Sequence, residues 1–162
     1  MSYVAEQKFV QRPNYLEWLI NWREKQLIKV VAGVRRCGKS TLFRLYIDWL
    51  LENGVKPEQI IFINLEELEH ENLLHYRALY DYIKARLYKS GYTYIFIDEV
   101  QNCKDYEKAV DSLFVKDNVD VYITGSNAYL LSGELATLLS GRYATAICFI
   151  KLNAMISAAD NI

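Results

Sequence analysis

Two prolines, three cysteines and two histidines are scattered through 162 residues, and each scarcity removes a class of protein. So little proline leaves no proline-rich linker or polyproline segment. Cys37, Cys103 and Cys148 stand far apart without metal-ligand spacing, and they read as free thiols rather than a disulfide framework. His70 and His75 share no helical face and have no third ligand nearby, so solvated side chains are favoured over a zinc site, which needs three or four ligands. No apolar run approaches the roughly 18 residues of a membrane span. The opening MSYVAEQKFVQRP has no hydrophobic signal core, so the expectation is a cytoplasmic chain without membrane contact.

What is present suits one soluble globular domain: 52% hydrophobic residues, 24% charged, and a net charge of −1. The charge is unevenly placed. Residues 1–44 carry nine Lys/Arg against three Asp/Glu, and residues 45–120 carry eight against fifteen. A bound nucleotide accounts for part of that basic end. Without a Lys/Arg block or an interleaved aromatic stripe, the imbalance is weak support for nucleic acid.

The stretch LIKVVAGVRRCGKSTLFRLYIDW, from Leu27 to Trp49, organises the rest. An apolar β-branched run turns at Gly33 and continues into apolar residues at helical spacing: strand, loop, helix. Gly33, Val34, Arg35, Arg36, Cys37, Gly38, Lys39 and Ser40 fit G-x-x-x-x-G-K-[ST], the Walker A phosphate-binding loop. Gly33 and Gly38 let successive N–H groups turn inward at phosphate oxygens. Lys39 supplies a point charge for the β and γ phosphates, Ser40 a hydroxyl for Mg²⁺, and the helix N-terminus completes an anion site that also takes in Thr41.

Upstream, Asn14 and Glu17 read as a capping box opening a helix that runs to about residue 26, with Leu16, Leu19, Ile20 and Trp22 as its apolar face. Arg12 to Tyr15 have two readings, packing on the sheet edge or lining a base. Downstream, Asn53-Gly54 and Pro57 stop the Walker A helix, and Ile60 to Leu65 is strand-like. Leu68 to Tyr88 carries Tyr76, Leu79, Tyr80, Ile83 and Leu87 at helical spacing. In YTYIFIDEV, Tyr92 to Val100, hydrophobic residues run straight into Asp98 and Glu99, as on a buried parallel strand that delivers acids to its C-terminal edge. Asp98 fits the Walker B role on Mg²⁺, and Glu99 is placed to polarise a water. A simple acidic turn is the competing reading. Residues 105–115 form a further amphipathic helix and Val119 to Thr124 a further strand, ending in Gly125-Ser126-Asn127. Asn127 is either a sensor beside the γ phosphate or, like Ser126, a cap for a helix over 128–139. A fifth strand spans Tyr143 to Ile150. The alternation predicts an α/β three-layer P-loop fold, a five-stranded parallel sheet flanked by helices, and leaves strand order open.

With these stretches in place, the chain resembles the AAA+-type P-loop ATPases of a prokaryotic family whose members pair this domain with a separate C-terminal domain. The resembling segments are RPNYLEWL, KVVAGVRRCGKSTL, IIFINLEE, LYDYIK, YIFIDEVQNC and YITGSNAYLLSGELATLLSGRY, most of residues 12–143. The resemblance implies an AAA+-like sheet with the phosphate-loop strand among the Walker B and sensor strands. It implies Asn127 as first sensor and Asn64 as a tether for the catalytic glutamate. It also implies Arg142 as a finger on a neighbour's γ phosphate in a homo-oligomer. After Tyr143 the family's Pro-Leu-Ser-Phe-type segment is missing, and the expectation is a truncated member. The expected division is a lead-in at 1–26, a P-loop core at 27–150 and a divergent tail at 151–162.

Three functions follow as expectations. The first is Mg-dependent ATP hydrolysis: Gly33, Val34, Arg35, Arg36, Cys37, Gly38, Lys39, Ser40 and Thr41 around the phosphates, Ser40 and Asp98 on Mg²⁺, and Glu99, Asn127 and Arg142 as catalytic groups. The second is a nucleotide-dependent switch for a DNA or protein partner with little turnover. The third is a P-loop kinase, disfavoured because Glu99 beside Asp98 suits water activation and no Arg-rich lid is apparent.

Overall fold

The computed structural model describes residues 15–34 and 38–126, together with the backbone of 13–14 and 143–148. Its elements in order are α1 (Pro13–Asn21), β1 (Ile28–Gly33), α2 (Lys39–Glu52), β2 (Ile60–Asn64), α3 (Tyr76–Lys84), β3 (Thr93–Asp98), α4 (Tyr106–Phe114), β4 (Val119–Gly125) and β5 (Tyr143–Cys148). All strand pairings are parallel, in the order β2-β3-β4-β1-β5. The sheet has the expected five strands. Strand β4, expected to lead to the sensor, lies between β1, which leads to the expected phosphate loop, and β3, which ends in Asp98, so β1 borders β4 and β5 and does not touch β3 directly. Among the described residues, no helix is long and apolar enough to cross a membrane.

Burial explains the strands. Every position of β1 and β3 is buried, as is all of β4 after its first residue, whereas edge strand β2 alternates between buried and half-buried. Strands covered on both faces need apolar residues at nearly every position, and these have them. Ile28, Val30, Ile61, Ile63, Ile95, Ile97, Val121 and Ile123 meet α3 and α4 on one face. Val31, Tyr94, Phe96 and Tyr122 meet α1 and α2 on the other, where Phe43 and Tyr46 pack edge-on against Phe96.

Several boundaries differ from the sequence reading. Helix α1 already includes Pro13, so Asn14 lies in its first turn instead of capping it, and proline suits that opening position. The helix ends at Asn21, well before residue 26, and Glu24 turns the chain at φ 58°. The helix expected over 68–88 is two pieces. A 3₁₀ segment, Leu68–Leu73, precedes α3, which stops at Lys84. His75 sits between them as a cap, its ring accepting from the Arg77 N–H at 3.3 Å. The helix expected over 128–139 lies outside the described residues. Cys103 is buried, and burial pushes its thiol up to about 12.

Below the sheet's N-terminal end lies a buried ion pair. Lys29 Nζ is 2.6 Å from Asp120 Oδ1 and donates also to the Lys25 carbonyl at 2.6 Å. Asp120 Oδ2 accepts from Tyr122 OH at 2.6 Å and from the Glu24 N–H at 2.8 Å. Burial pulls the ammonium below its ordinary range and pushes the carboxyl above its own, each opposed by the partner's charge. Because Glu24 and Lys25 join the network through their backbones, it fastens the α1–β1 turn beneath the strand that leads to the phosphate loop.

Candidate functional site

Strand parity brings the site together. Successive side chains alternate faces, so Asp98 shares a face with Tyr94 and Phe96, and Thr124 shares one with Tyr122. That face is covered by α2. The last residues on it, at the C-terminal edge of the sheet, therefore meet the first turn of α2. Ser40 Oγ donates to Asp98 Oδ2, and Thr124 Oγ1 donates to Asp98 Oδ1. Asp98 and Thr124 are both fully buried.

Gly38 leads into α2 at φ 94°, a left-handed conformation in which a side-chain-bearing residue would be strained. Lys39, only 3% exposed, folds back over the loop and donates to the carbonyls of Gly33 at 2.9 Å and Val34 at 3.0 Å. Gly38, Lys39, Ser40, Thr41 and Glu99 line a cavity of about 250 Å³. The chain leaves β3 through Glu99 at φ 56°, a left-handed turn on a residue other than glycine. Conformations of that kind cost about 1–3 kcal/mol and persist where the surroundings over-determine them. Here Thr124 Oγ1 accepts the Glu99 N–H at 3.0 Å, and Asn102 Nδ2 donates to the Glu99 carbonyl at 3.2 Å. The Glu99 carboxylate sits 4.0 Å from Lys39 Nζ through Oε1 and accepts from Gln101 Nε2 through Oε2.

Gly33, Val34, Gly38, Lys39, Ser40, Thr41, Asp98 and Glu99 thus gather at one edge of the sheet. Arg35, Arg36, Cys37, Asn127 and Arg142 lie outside the described residues. Asn64 departs from its expected role as a tether. It pairs with Asp98 in the β2–β3 register, but its Oδ1 accepts from the Glu66 N–H at 2.9 Å, and Glu99 is held by Gln101 instead. Sequence reading also passed over Thr124, which touches both acids. The available signal was its place as the last polar residue in VDVYIT, level with the acids of the neighbouring strand.

The profile of the AAA domain family matches residues 25–154 of this chain, most of its length and the whole described site. The chain belongs to that family. An uncharacterized protein of Haemophilus influenzae is 44% identical over 135 residues, covering 83% of this chain and 34% of that protein, so the chain spans about a third of its relative's length. Among solved structures, a DNA polymerase III gamma subunit-related protein from Thermotoga maritima superposes with a TM-score of 0.61 at 15% identity, covering 83% of this chain and 45% of that one. Saccharomyces cerevisiae RIF2 follows at 0.56 and 13%, covering 83% and 54%, and C. elegans PCH-2 at 0.50 and 16%, covering 80% and 37%. At such identities the likeness is one of fold. With its phosphate-loop signature, the AAA domain supports nucleotide binding by this chain.

The donor set of this AAA domain suits Mg-ATP. A serine hydroxyl and a buried carboxylate in contact are hard oxygen donors of the sort Mg²⁺ takes alongside waters and phosphates. A left-handed glycine, a helix N-terminus and a lysine on one cavity suit a polyphosphate.

Proposed function

We propose that this AAA domain binds Mg-ATP and hydrolyses it to ADP and phosphate. The observation that carries the proposal is the convergence of Lys39, Ser40 and Glu99 on one cavity, with Asp98 bonded to Ser40 behind it. Lys39 exchanges the Gly33 and Val34 carbonyls for β and γ phosphate oxygens, and the N–H groups that open α2 take the remaining oxygens. Ser40 and Asp98 would hold Mg²⁺, which would supply positive charge to offset that of the phosphates. Glu99 Oε1 accepts a proton from a water as its oxygen attacks the γ phosphorus, and the bond to the bridging oxygen breaks to leave ADP. Arg35, Arg36 and Cys37 complete the loop, Asn127 orients the water, and Arg142 reaches the γ phosphate of a neighbouring copy in a homo-oligomer.

Phosphate release tests this reading. Release is expected from ATP with Mg²⁺, to stop on adding EDTA and to resume with excess Mg²⁺. Release that persists in EDTA would remove the metal role of Ser40 and Asp98. ADP forming only when an acceptor is supplied would make the domain a kinase, and tight Mg-ATP binding with no release would make it a nucleotide-dependent switch.

A further inference from the structure

The side-chain amide of Gln101 is bonded in a way that stability does not explain. Its Nε2 donates to Glu99 Oε2 at 2.5 Å, while its Oε1 is buried without a hydrogen-bond partner among the described residues. Turning the amide over would set Oε1 against a carboxylate oxygen, so only one orientation is compatible with the contact. An apolar residue of similar shape would avoid the orphan acceptor altogether. The contact fixes one oxygen of Glu99. With Oε2 held, Oε1 is the oxygen left toward Lys39, 4.0 Å away, on a side chain that lines the phosphate cavity. Thr124 and Asn102 restrain the backbone of the same residue, so Gln101 supplies the restraint that the carboxylate itself lacks.

We propose that Gln101 is a positioning residue that holds the Glu99 carboxylate with Oε1 presented to the attacking water. The proposal rests on the hydrolytic reading above. It gives Gln101 the contact with the glutamate that the family resemblance implied for Asn64.

The test compares the full chain with Gln101→Met, Glu99→Gln and the double variant. In the absence of nucleotide, the unfolding midpoint of Gln101→Met should equal or exceed the parent's, because the orphan acceptor is gone. The KM for Mg-ATP should stay within about twofold while kcat falls roughly ten- to a hundredfold, the signature of a misaimed base. In the Glu99→Gln background, adding Gln101→Met should lower turnover no further. An unchanged or raised kcat would overturn the proposal, as would an equal fall in the Glu99→Gln background, or a lowered midpoint with weakened ATP binding. If the parent releases no phosphate, the hydrolytic reading falls and takes this one with it. An active parent that is indifferent to Gln101→Met removes the positioning role alone.

Discussion

Glu99→Gln is expected to bind Mg-ATP as the parent does and to release phosphate about 10²–10⁴-fold more slowly, the range for losing a general base. The substitution keeps the shape of the side chain and removes its capacity to take a proton. Binding should survive because the groups assigned to the phosphates and Mg²⁺ are elsewhere: Lys39 on the loop, Ser40 at the start of α2, Asp98 at the end of β3. The 4.0 Å contact between Glu99 and Lys39 is lost, which frees the lysine for phosphate and should, if anything, tighten binding. Single-turnover phosphate release beside a nucleotide titration separates the two effects. Turnover within a few-fold of the parent would remove Glu99 as the base.

Asp120→Ala should be among the more destabilising single changes in the described core, costing about 3–5 kcal/mol in urea-induced unfolding. It leaves the Lys29 ammonium fully buried with the Lys25 carbonyl as its remaining acceptor in the network, and strands Tyr122 OH and the Glu24 N–H at the same time. Replacing both charges, Lys29→Met with Asp120→Leu, should recover most of that loss, since two apolar residues leave no unpaired charge. The pH dependence has a definite sign. Lys29 has its folded-state pKa lowered by burial, so between that value and the ordinary 10.5 the unfolded chain binds more protons. Asp120→Ala removes the charge and the hydrogen bond that oppose this lowering, so the variant's ammonium loses its proton at a lower pH than the parent's, and the deficit should shrink as pH rises through the range between the two folded-state values. A loss below about 0.5 kcal/mol, the ordinary range for surface substitutions, would mean that the pair does not hold the turn beneath β1.

The parts legible in the sequence were those with a local cause. The runs LIKVVAG and YTYIFIDEV read as central strands because burial on both faces demands apolar residues at nearly every position, and β1 and β3 are buried throughout. The phosphate loop read clearly because glycine and lysine spacing is set by backbone geometry within eight residues. Strand order did not, because the placement of β4 between β1 and β3 depends on contacts distant in sequence. The segment over 68–88 misled because helical periodicity continued across a 3₁₀ turn that closes on His75. The buried ion pair left a trace that went unused: one lysine inside LIKVVAG and one aspartate inside VDVYIT, opposite charges on two strands that turn out to be neighbours. Gln101 stood in YIFIDEVQNC, one of the segments that carry the resemblance, but its contact with Glu99, made across a left-handed turn, did not show in the sequence.

The measurement that bears most directly on the central claim is the thermal unfolding midpoint with and without Mg-ATP, with Lys39→Ala run beside the parent. At about a hundredfold over its dissociation constant, a ligand stabilises the native state by about 2.7 kcal/mol. For a domain of this size that is a shift of roughly 5–10 °C. The account predicts such a shift in the parent and its disappearance in Lys39→Ala, whose own midpoint without nucleotide stays near the parent's. A cooperative parent transition that Mg-ATP leaves in place, or an equal shift in the variant, would contradict it.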